Sequence, residues 1–381
     1  MPEHPLHRKI SDHYREAILS GKFGKAQRLP SEAQLVQQFG TSRPTVARAM
    51  RDLQAEGLIE RRAGSGSYVR SGPAAPASKQ IGLLVPGFGT TEIFGVICGE
   101  VASLARAHGY AVIWGGSSHP HGDGDLTRDH AEELCEQFIQ RQVEGVVFAP
   151  FELSADNERV NERIATRLRD AGIQVVLLDR DLRAFPSRSD FDLVGVDNLA
   201  GGYLLAEHLV RLGCRRISFV ARPHSASSVD IRIAGVREAL LRHKIELRPD
   251  WVSWGDPADL KFVRKLTAGR LFDAFICAND HTAVVLMRTL EQLKLSVPGQ
   301  VRVAGFDDVR FSTLLVVPLT TIHQPCREIG VTAFHTLMQR IAQPEWPPRA
   351  VLLTPYLAVR GSCGAYQDAG AKSPENQACL A

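Results

Sequence analysis

Long apolar runs are absent from this 381-residue sequence. No stretch approaches the roughly 18 consecutive apolar residues that span a membrane. The first ten residues, MPEHPLHRKI, are mostly polar or charged and contain no apolar core of the length that a signal peptide needs. We therefore expect a cytoplasmic protein with no membrane partner.

Cysteine is sparse and follows no metal-binding or disulfide pattern. The seven cysteines are scattered, and none forms a Cys-x-x-Cys pair. This distribution predicts reduced, mostly buried thiols. Residues 119–125 (HPHGDGD) carry metal-binding side chains but no second ligand pair at defined spacing, so we interpret them as a flexible polar loop. We expect no metal and no cofactor.

Recognisable catalytic motifs are also missing. The sequence has no Gly-x-Ser-x-Gly, no His-Glu-x-x-His and no Walker loop. The glycines between positions 82 and 89 have the wrong spacing for a dinucleotide-binding turn. These absences argue against an enzyme.

Positive charge is concentrated near the N-terminus. Residues 1–72 contain 12 Lys and Arg against 7 Asp and Glu, whereas the remaining residues contain 33 and 35. A small basic module joined to a larger, slightly acidic one suggests a polyanionic partner for the small module. A chance excess of charge on a solvated surface would give the same numbers.

The basic segment has the pattern of three helices followed by a hairpin. Ser31 and Gln34 form a capping-box pattern, and Ser42 can cap the third helix, where Pro44 is tolerated in the first turn. Gly57 ends that helix. The predicted elements are helices over 10–18, 31–40 and 42–57 and strands over 58–62 and 67–70.

Beyond this segment, strands and helices alternate. Residues 71–80 (SGPAAPASKQ) are rich in Pro, Ala, Ser and Gly, which is typical of a linker. Short apolar strands separated by amphipathic helices imply parallel sheets covered on both faces, and two such series imply two doubly wound lobes. The predicted strands are 81–86, 111–114, 145–149, 175–178, 193–196, 217–220, 274–277 and 302–305.

The N-terminal segment resembles the winged-helix domain of GntR-type regulators over residues 6–69. The motifs that carry the resemblance are Leu29-Pro30-Ser31-Glu32, Ser42-Arg43-x-Thr45-Val46, Gly57-Leu58-Ile59 and Gly64-Ser65-Gly66. Many relatives carry Arg at the positions of Ala33 and Ala47, so no operator sequence can be transferred base by base.

The start of the third helix is the expected DNA-reading element. Arg43 could reach a guanine edge or a phosphate from there, and glycines in the wing allow close backbone approach. The alternative is a winged helix that binds protein and has arginines on its solvated face. The predicted DNA-binding residues are Arg28, Ser31, Ser42, Arg43, Thr45, Arg48, Arg62, Gly64, Ser65 and Gly66.

Residues 80–361 resemble the effector domain of LacI-type repressors and periplasmic sugar-binding proteins. The motifs are Val194-Gly195-Val196-Asp197-Asn198, Arg232-Ile233-Ala234-Gly235, Ala278-Asn279-Asp280-His281, Ala304-Gly305-Phe306-Asp307-Asp308 and Pro318-Leu319-Thr320-Thr321-Ile322. A GntR-type head joined to this domain is similar to the arabinose-repressor group. The resemblance implies a carbohydrate effector.

Together these observations predict an α/β protein in which an N-terminal winged helix-turn-helix (α+β) precedes a two-lobed, doubly wound, parallel-sheet domain like that of periplasmic binding proteins. The tail is small and polar, which is typical of disorder. The predicted divisions are a DNA-binding domain over 1–70, a linker over 71–80, an effector domain over 81–361 with crossovers near 193–195, 322–324 and 355, and a disordered tail over 362–381.

Five residues are predicted to contact the effector. Asp179, Asn279 and Asp307 each directly follow an apolar strand, so each should point into the crevice between the lobes. The resemblance places Arg232, Asn279 and Asp307 at ligand positions, and Phe94 could stack on a sugar face. The full predicted set is Phe94, Asp179, Arg232, Asn279 and Asp307.

Other roles for these side chains stay open at this point. Asp after a strand is commonly an N-cap or a loop hydrogen-bonder, and we assign Asp197 and Asp280 to capping or inter-lobe structure. Arg232 could instead pair with Asp230. Arg180 and Asp181 compete with Asp179, while Phe88 and Trp254 are weaker stacking candidates than Phe94, which is itself more typical of core.

The predicted function is an effector-controlled transcription regulator. We expect a repressor that binds double-stranded operator DNA as a homodimer, with a sugar-like effector that closes the two lobes. The alternative is a cytoplasmic sugar-sensing protein without direct operator recognition. A transport-associated binding protein would not explain the basic N-terminal segment or the missing signal peptide. An enzyme would need a nucleophile or metal site, and the sequence shows no such motif.

Overall fold

The computed structural model describes residues 6–19, 23, 28–55, 58–62, 66–69, 79–85, 92–115, 124–153 and 155–365. The chain divides into two compact units, 1–78 and 79–381. Within the described ranges, every helix is too short or too polar to cross a membrane.

The first unit contains three helices and a β-hairpin around one small core. Both capping-box hydrogen bonds at Ser31 are present, as predicted, and Gly40 ends the second helix in the left-handed conformation. Leu35, Val46 and Leu53 are fully buried in the core between the helices. The elements are α1 (Leu6–Leu19), α2 (Glu32–Phe39), α3 (Arg43–Ala55), β1 (Ile59–Arg62) and β2 (Gly66–Val69).

The second unit begins with a lobe built on a six-stranded sheet whose pairings are all parallel. Its order is β13-β7-β6-β5-β3-β4. Adjacent strand residues such as Leu83 and Leu84 belong to separate hydrophobic clusters because successive side chains point to opposite faces. The strands are β3 (Gln80–Leu84), β4 (Ala111–Gly115), β5 (Gly145–Phe148), β6 (Gln174–Leu178), β7 (Asp192–Val196) and β13 (Ala350–Leu353).

Two pairs of helices cover this sheet. The helices α4 (Glu92–Ala107) and α11 (Cys326–Ala342) pack together on the face that contains Leu83. The opposite face, which contains Leu84, is covered by α5 (Gly124–Gln140) and α6 (Asn157–Asp170).

The other lobe has a smaller parallel sheet of order β11-β10-β8-β9. Phe219 and Val220 again point into separate clusters, so this sheet is also covered on both faces. The predicted α/β fold with two doubly wound lobes is confirmed. The elements are α7 (Asn198–Arg211), β8 (Ile217–Ala221), α8 (Ser227–Arg242), β9 (Val252–Trp254), α9 (Leu260–Thr267), β10 (Ala274–Cys277), α10 (Asp280–Gln292) and β11 (Arg302–Ala304).

The helices α7 and α8 meet backbone to backbone through two glycines. A Cβ on Gly202 would lie 2.1 Å from the carbonyl oxygen of Arg232, and one on Gly235 would lie 2.1 Å from that of Leu199. Only glycine permits this approach. The contact fixes the position of Arg232 relative to the start of α7.

The chain passes between the two lobes three times. The first passage is at Asp197, slightly later than the predicted 193–195, because those residues are fully paired within the first sheet. The other passages follow β12 (Thr321–His323) and precede β14 (Tyr356–Ala358), two short strands that pair with each other in antiparallel fashion.

Two predicted boundaries need correction. Gln80 is not linker but the first residue of β3; residues 71–78 lie outside the described residues. Ser362, predicted to begin a disordered tail, is fully buried: its Oγ donates to the carbonyl oxygen of Val303 (2.6 Å) and accepts from the N–H of Thr320 (2.8 Å). A small polar residue can therefore belong to the core when its hydroxyl is bonded. Residues 366–381 lie outside the described residues.

Candidate functional site

Polar side chains from both lobes meet in the crevice where strands of the two sheets end. Asp179 follows β6, and Asp307 follows β11. Both have a positive φ, 71° and 124°, which non-glycine residues rarely adopt. Such backbone strain clusters at functional sites, where surrounding packing holds it in place.

Arg232 is the best-anchored of the predicted effector residues. Its Nε donates to Asn198 Oδ1 (2.8 Å), and its Nη1 donates to the carbonyl oxygen of Ala278 (2.5 Å). The guanidinium lies over the ring of Phe306, 3.7 Å from its centroid, and Nη1 is 3.8 Å from Asp307 Oδ1. The structure thus pairs Arg232 with Asp307 and not with Asp230.

Asp307 is a buried carboxyl in a crowded electrostatic environment. Burial raises its pKa to about 7; the Asp179 and Glu152 carboxylates add to the rise, while Arg232 and a hydrogen bond from Gln324 oppose it. Gln324 Nε2 donates to Asp307 Oδ1 at 2.7 Å. Gln324 lies just after β12, and the sequence prediction missed it because no apolar strand pattern marks that segment.

Arg180 brings a second guanidinium into the crevice. It is only 6% exposed, its Nη1 is 2.7 Å from Glu152 Oε1, and its Nε is 3.7 Å from Asp179 Oδ2. The Nε hydrogen has no hydrogen-bond acceptor within the described residues although it is buried. Arg180 therefore joins Asp179 in the site instead of replacing it.

Asn279 uses its side chain to cap a helix. Its Oδ1 accepts a hydrogen bond from the N–H of Thr282 (2.8 Å) and caps α10. A ligand contact would therefore fall to its carboxamide nitrogen.

The two neighbouring aspartates assigned to structure have that role. Asp197 Oδ1 accepts from the N–H of Ala200 and caps α7. Asp280 is fully buried, and its carboxylate accepts from the N–H of Val309 (3.0 Å) and the hydroxyl of Thr321 (2.5 Å). These contacts confirm capping for Asp197; Asp280 has a structural role, but it holds Val309 and Thr321 and does not cap α10, whose cap is Asn279.

Of the aromatic candidates, the structure describes Phe94 and Trp254. Phe94 is 2% exposed in the core of the first lobe, and the Arg180 guanidinium lies 5.6 Å from its ring centroid. Trp254 is exposed at the end of the edge strand β9. Phe88 lies outside the described residues. Phe94 is therefore a core residue, the alternative role given above, and its ring lies beside the Arg180 guanidinium.

A rim of hydrogen bonds joins the lobes on one side of the crevice. The N–H of Leu153 donates to the carbonyl oxygen of His224 (2.6 Å), the N–H of Ala226 donates to Glu152 Oε2 (3.1 Å), and Ser227 Oγ donates to the carbonyl oxygen of Asp181 (3.1 Å). Glu152, Asp181, His224, Ala226 and Ser227 also line a cavity of about 200 Å³, whose other lining residues lie within 150–151, 155–161, 180–184 and 225–230.

A wider cavity is lined by Asp307. Its volume is about 440 Å³, and it is lined by the start of α4 and by residues 307–310 and 323–328. Asp308 pairs there with His323 and Arg360. Asp307 therefore lines this cavity and Arg180 lines the smaller one, whereas Asp179, Arg232 and Asn279 line neither of the two.

The predicted DNA-binding residues cluster around α3 and the hairpin of the first unit. Ser42 and Arg43 are exposed at the start of α3, with Ser42 Oγ 2.8 Å from Thr45 Oγ1. Arg48 is exposed further along the same helix, and Ser31 is exposed at the start of α2. The side chain of Arg62 and residues 64–65 (Gly64 and Ser65) lie outside the described residues.

Arg28 is tied to the hairpin by both backbone and side chain. It forms an antiparallel bridge with Tyr68, and Leu29 N–H donates to the carbonyl oxygen of Ser67 (2.8 Å). Gly66 has a φ of 112°, and a Cβ there would lie 3.0 Å from Arg28 Nε. Gly66 thus makes room for the Arg28 guanidinium beside the wing.

Two family descriptions match this chain. Residues 6–69 match the bacterial regulatory proteins of the gntR family, and residues 206–363 match the periplasmic binding protein-like domain. The first match covers the three helices and the hairpin, and the second covers most of the smaller lobe and the returning segments.

Relatives that match most of the chain are named as repressors. The chain is 28% identical over 350 residues to the arabinose metabolism transcriptional repressor of Geobacillus stearothermophilus, covering 89% of this chain and 92% of that protein. It is 30% identical over 286 residues to the ribose operon repressor of Escherichia coli K12, covering 74% and 81%.

Solved structures share the two-lobed fold. A LacI family transcriptional regulator from Enterococcus faecium with bound ribose is 25% identical, with a TM-score of 0.59 over 74% of this chain and 98% of that one. A complex of the regulator CelR with cellobiose is 21% identical, with a TM-score of 0.63 over 88% and 100%.

Proposed function

The chain belongs to the LacI-type family of transcriptional repressors and carries a GntR-type DNA-binding head, and from this premise we propose that a small sugar in the crevice controls its binding to operator DNA. The protein is a DNA-binding transcription regulator. The proposal concerns its effector, the residues that bind effector and DNA, and its assembly.

The observation that carries the effector proposal is the set of hydrogen-bonding groups at the strand ends. Asp179 and Arg180 come from one lobe, Arg232, Asn279 and Asp307 come from the other, and Gln324 lies between them. Carboxylates accept and guanidinium or carboxamide groups donate, which suits the neighbouring hydroxyls of a sugar. The relatives named for arabinose and ribose, and the ribose-bound structure, support the same chemical class.

Thermal unfolding with a panel of neutral pentoses, hexoses and disaccharides tests this proposal. A sugar at about 100 times its dissociation constant should stabilise the protein by about 2.7 kcal/mol. Arg232→Ala and Asp307→Ala should abolish the shift, whereas Arg242→Ala, which removes an exposed arginine on the same helix as Arg232, should retain it. A sugar shift that survives both crevice substitutions would contradict the assignment.

The head is proposed to read DNA with the start of α3. Arg43 is exposed there, and Ser42 and Thr45 offer hydroxyls beside the helix N-terminus, where phosphates bind favourably. Arg28, held at the wing by Gly66, adds a cation that can contact the backbone of the same duplex.

A binding-site selection from random duplexes, followed by fluorescence anisotropy, tests the head. Arg43→Ala should weaken binding to the selected duplex by about 1–3 kcal/mol and relax its preference at one base position. Arg28→Ala should weaken binding to all duplexes and reduce the salt dependence by about one phosphate contact. The exposed-arginine variant Arg242→Ala is the control, and equal salt slopes for it and Arg28→Ala would remove Arg28 from the interface.

We further propose that the protein acts in the cytoplasm as a homodimer whose repression the sugar releases. An exposed apolar region on the smaller lobe, which we call the 314–317 patch, supports the dimer. Leu314 is 77% exposed and Val316 is fully exposed, beside a groove of about 490 Å³ lined by residues 295–297 and by α10, which contributes the charged Arg288 and Glu291 as well as apolar side chains. Apolar surface of this kind is typical of a protein interface.

A further inference from the structure

Both buried arginines of the crevice are already neutralised by groups of the protein itself. Arg180 is paired with Glu152 at 2.7 Å and lies close to Asp179. Arg232 donates to Asn198 and to a backbone carbonyl, and its nearest carboxylate is Asp307. Neither guanidinium is therefore an isolated cation, although the buried Nε–H of Arg180 has no acceptor within the described residues.

Acidic side chains outnumber arginines around the same space, although the Asp307 carboxyl, with a pKa of about 7, is only partly ionised at neutral pH. Glu152, Asp179 and Asp307 face two arginines in the crevice, and Asp181, Asp230 and Glu158 line the adjoining cavity of about 200 Å³. An anionic ligand would enter against this field, and the Arg180 guanidinium that it would approach already forms an ion pair with Glu152. A neutral ligand needs only to exchange hydrogen bonds.

Resting on the proposed function, we infer that the crevice selects an uncharged sugar over its phosphorylated or carboxylated counterparts, and that Glu152 sets this preference by neutralising Arg180. Glu152 is well placed for the role. Its two oxygens are divided between Arg180 and the N–H of Ala226, which lies on the opposite lobe. Burial alone would raise its pKa, but Arg180 and this backbone bond lower it below its usual value, so it is ionised at neutral pH.

Calorimetric titration of the full chain with matched sugars tests the inference. The pairs are ribose with ribose 5-phosphate, arabinose with arabinonate, glucose with glucose 6-phosphate and glucuronate, and galactose with galacturonate. The neutral member of the binding pair should bind at least about 10-fold more tightly than its anionic member.

A second titration uses Glu152→Gln, which keeps the shape of the side chain but removes the negative charge that pairs with Arg180. It should narrow the neutral-to-anionic affinity ratio by about 10-fold. Glu158→Gln is the matched control: it removes the same charge from the same cavity rim, but its side chain is exposed and forms no ion pair with Arg180. That control should leave the ratio within about 2-fold.

Each outcome decides a different claim. An anionic sugar that binds wild type more tightly than its neutral partner would overturn the inference and leave the proposed sugar effector intact. Equal ratios in Glu152→Gln and wild type would overturn the role of Glu152. If no neutral or anionic sugar binds, both the proposed effector class and this inference are overturned.

Discussion

At the residue scale, the crevice is held together by shared hydrogen-bonding partners. Arg232 reaches Asn198 and Ala278 directly, and Asp307 receives a bond from Gln324, while Arg232 and Asp307 are 3.8 Å apart. A sugar hydroxyl could therefore join this pair without displacing the bonds that orient either side chain. This arrangement favours a preformed binding site over one built by the ligand.

The raised pKa of Asp307 predicts a pH-dependent contribution to stability. Its unfolded value is near 3.8 and its folded value is about 7, so folding favours the protonated form. The stability it contributes is complete below pH 3.8 and is lost as the pH rises through 7. Asn at this position stays neutral. The free energy of unfolding of Asp307→Asn should therefore rise relative to that of wild type by on the order of 1–3 kcal/mol between pH 5 and pH 8.

Thermal unfolding without sugar at pH 5, 6, 7 and 8 measures this difference. Asp190→Asn removes the same charge from an exposed position and should show no such trend. A constant gap between Asp307→Asn and wild type across this range would mean that Asp307 does not titrate there.

The crevice residues that could be predicted from the sequence are polar residues that follow a recognisable apolar strand. Asp179, Asn279 and Asp307 each follow an apolar run, and the carboxyl ends of parallel strands meet in a crevice. Gln324 and Glu152 lack that signal: one lies in a crossover and the other in a loop, and only tertiary contacts bring them to Asp307 and Arg180.

At the element scale, the close contact of α7 and α8 determines where Arg232 lies. The two glycines let the helices approach until backbone atoms touch, and Asn198 at the start of α7 then meets the Arg232 guanidinium. Two glycines, which carry no side chain, therefore determine both the packing of these helices and the position of Arg232 in the crevice.

Gly202→Ala should disturb this link. The added methyl would meet the carbonyl oxygen of Arg232, so the helices must separate, at a cost of about 1–3 kcal/mol, and Arg232 must move. We expect a lower midpoint of denaturant unfolding and weaker sugar binding. Gly95→Ala, on an open face of α4, should be neutral or stabilise by about 0.5–1 kcal/mol. Equal effects of the two substitutions would contradict the packing argument.

Element prediction succeeded where local patterns are strong and stopped where they are weak. Most of the alternating strands and helices up to β11 follow from apolar periodicity, but the short elements β9 and α9 were not predicted. The later segments were not predicted: α11 returns to the first lobe, and β13 pairs with β7, far away in sequence. Ser362 was mistaken for tail because composition does not reveal that its hydroxyl bonds inside the core.

At the scale of the whole molecule, the 314–317 patch predicts how copies associate. Val316→Asp would place a charge in the proposed interface and should convert dimers to monomers in sedimentation experiments. Leu241→Asp introduces the same charge at an exposed apolar position on α8 and should leave the dimer intact. A dimer that persists in Val316→Asp at micromolar concentration would direct the search to another surface.

The threefold passage between the lobes also sets an order of events during synthesis. The smaller lobe is inserted within the larger one, whose sheet is complete only when β13 arrives and whose face is covered only when α11 arrives. A nascent chain that ends after β7 has an unpaired strand edge and an uncovered apolar face. On the ribosome, the smaller lobe can therefore be largely folded before α11 and β13 of the larger lobe have been synthesised.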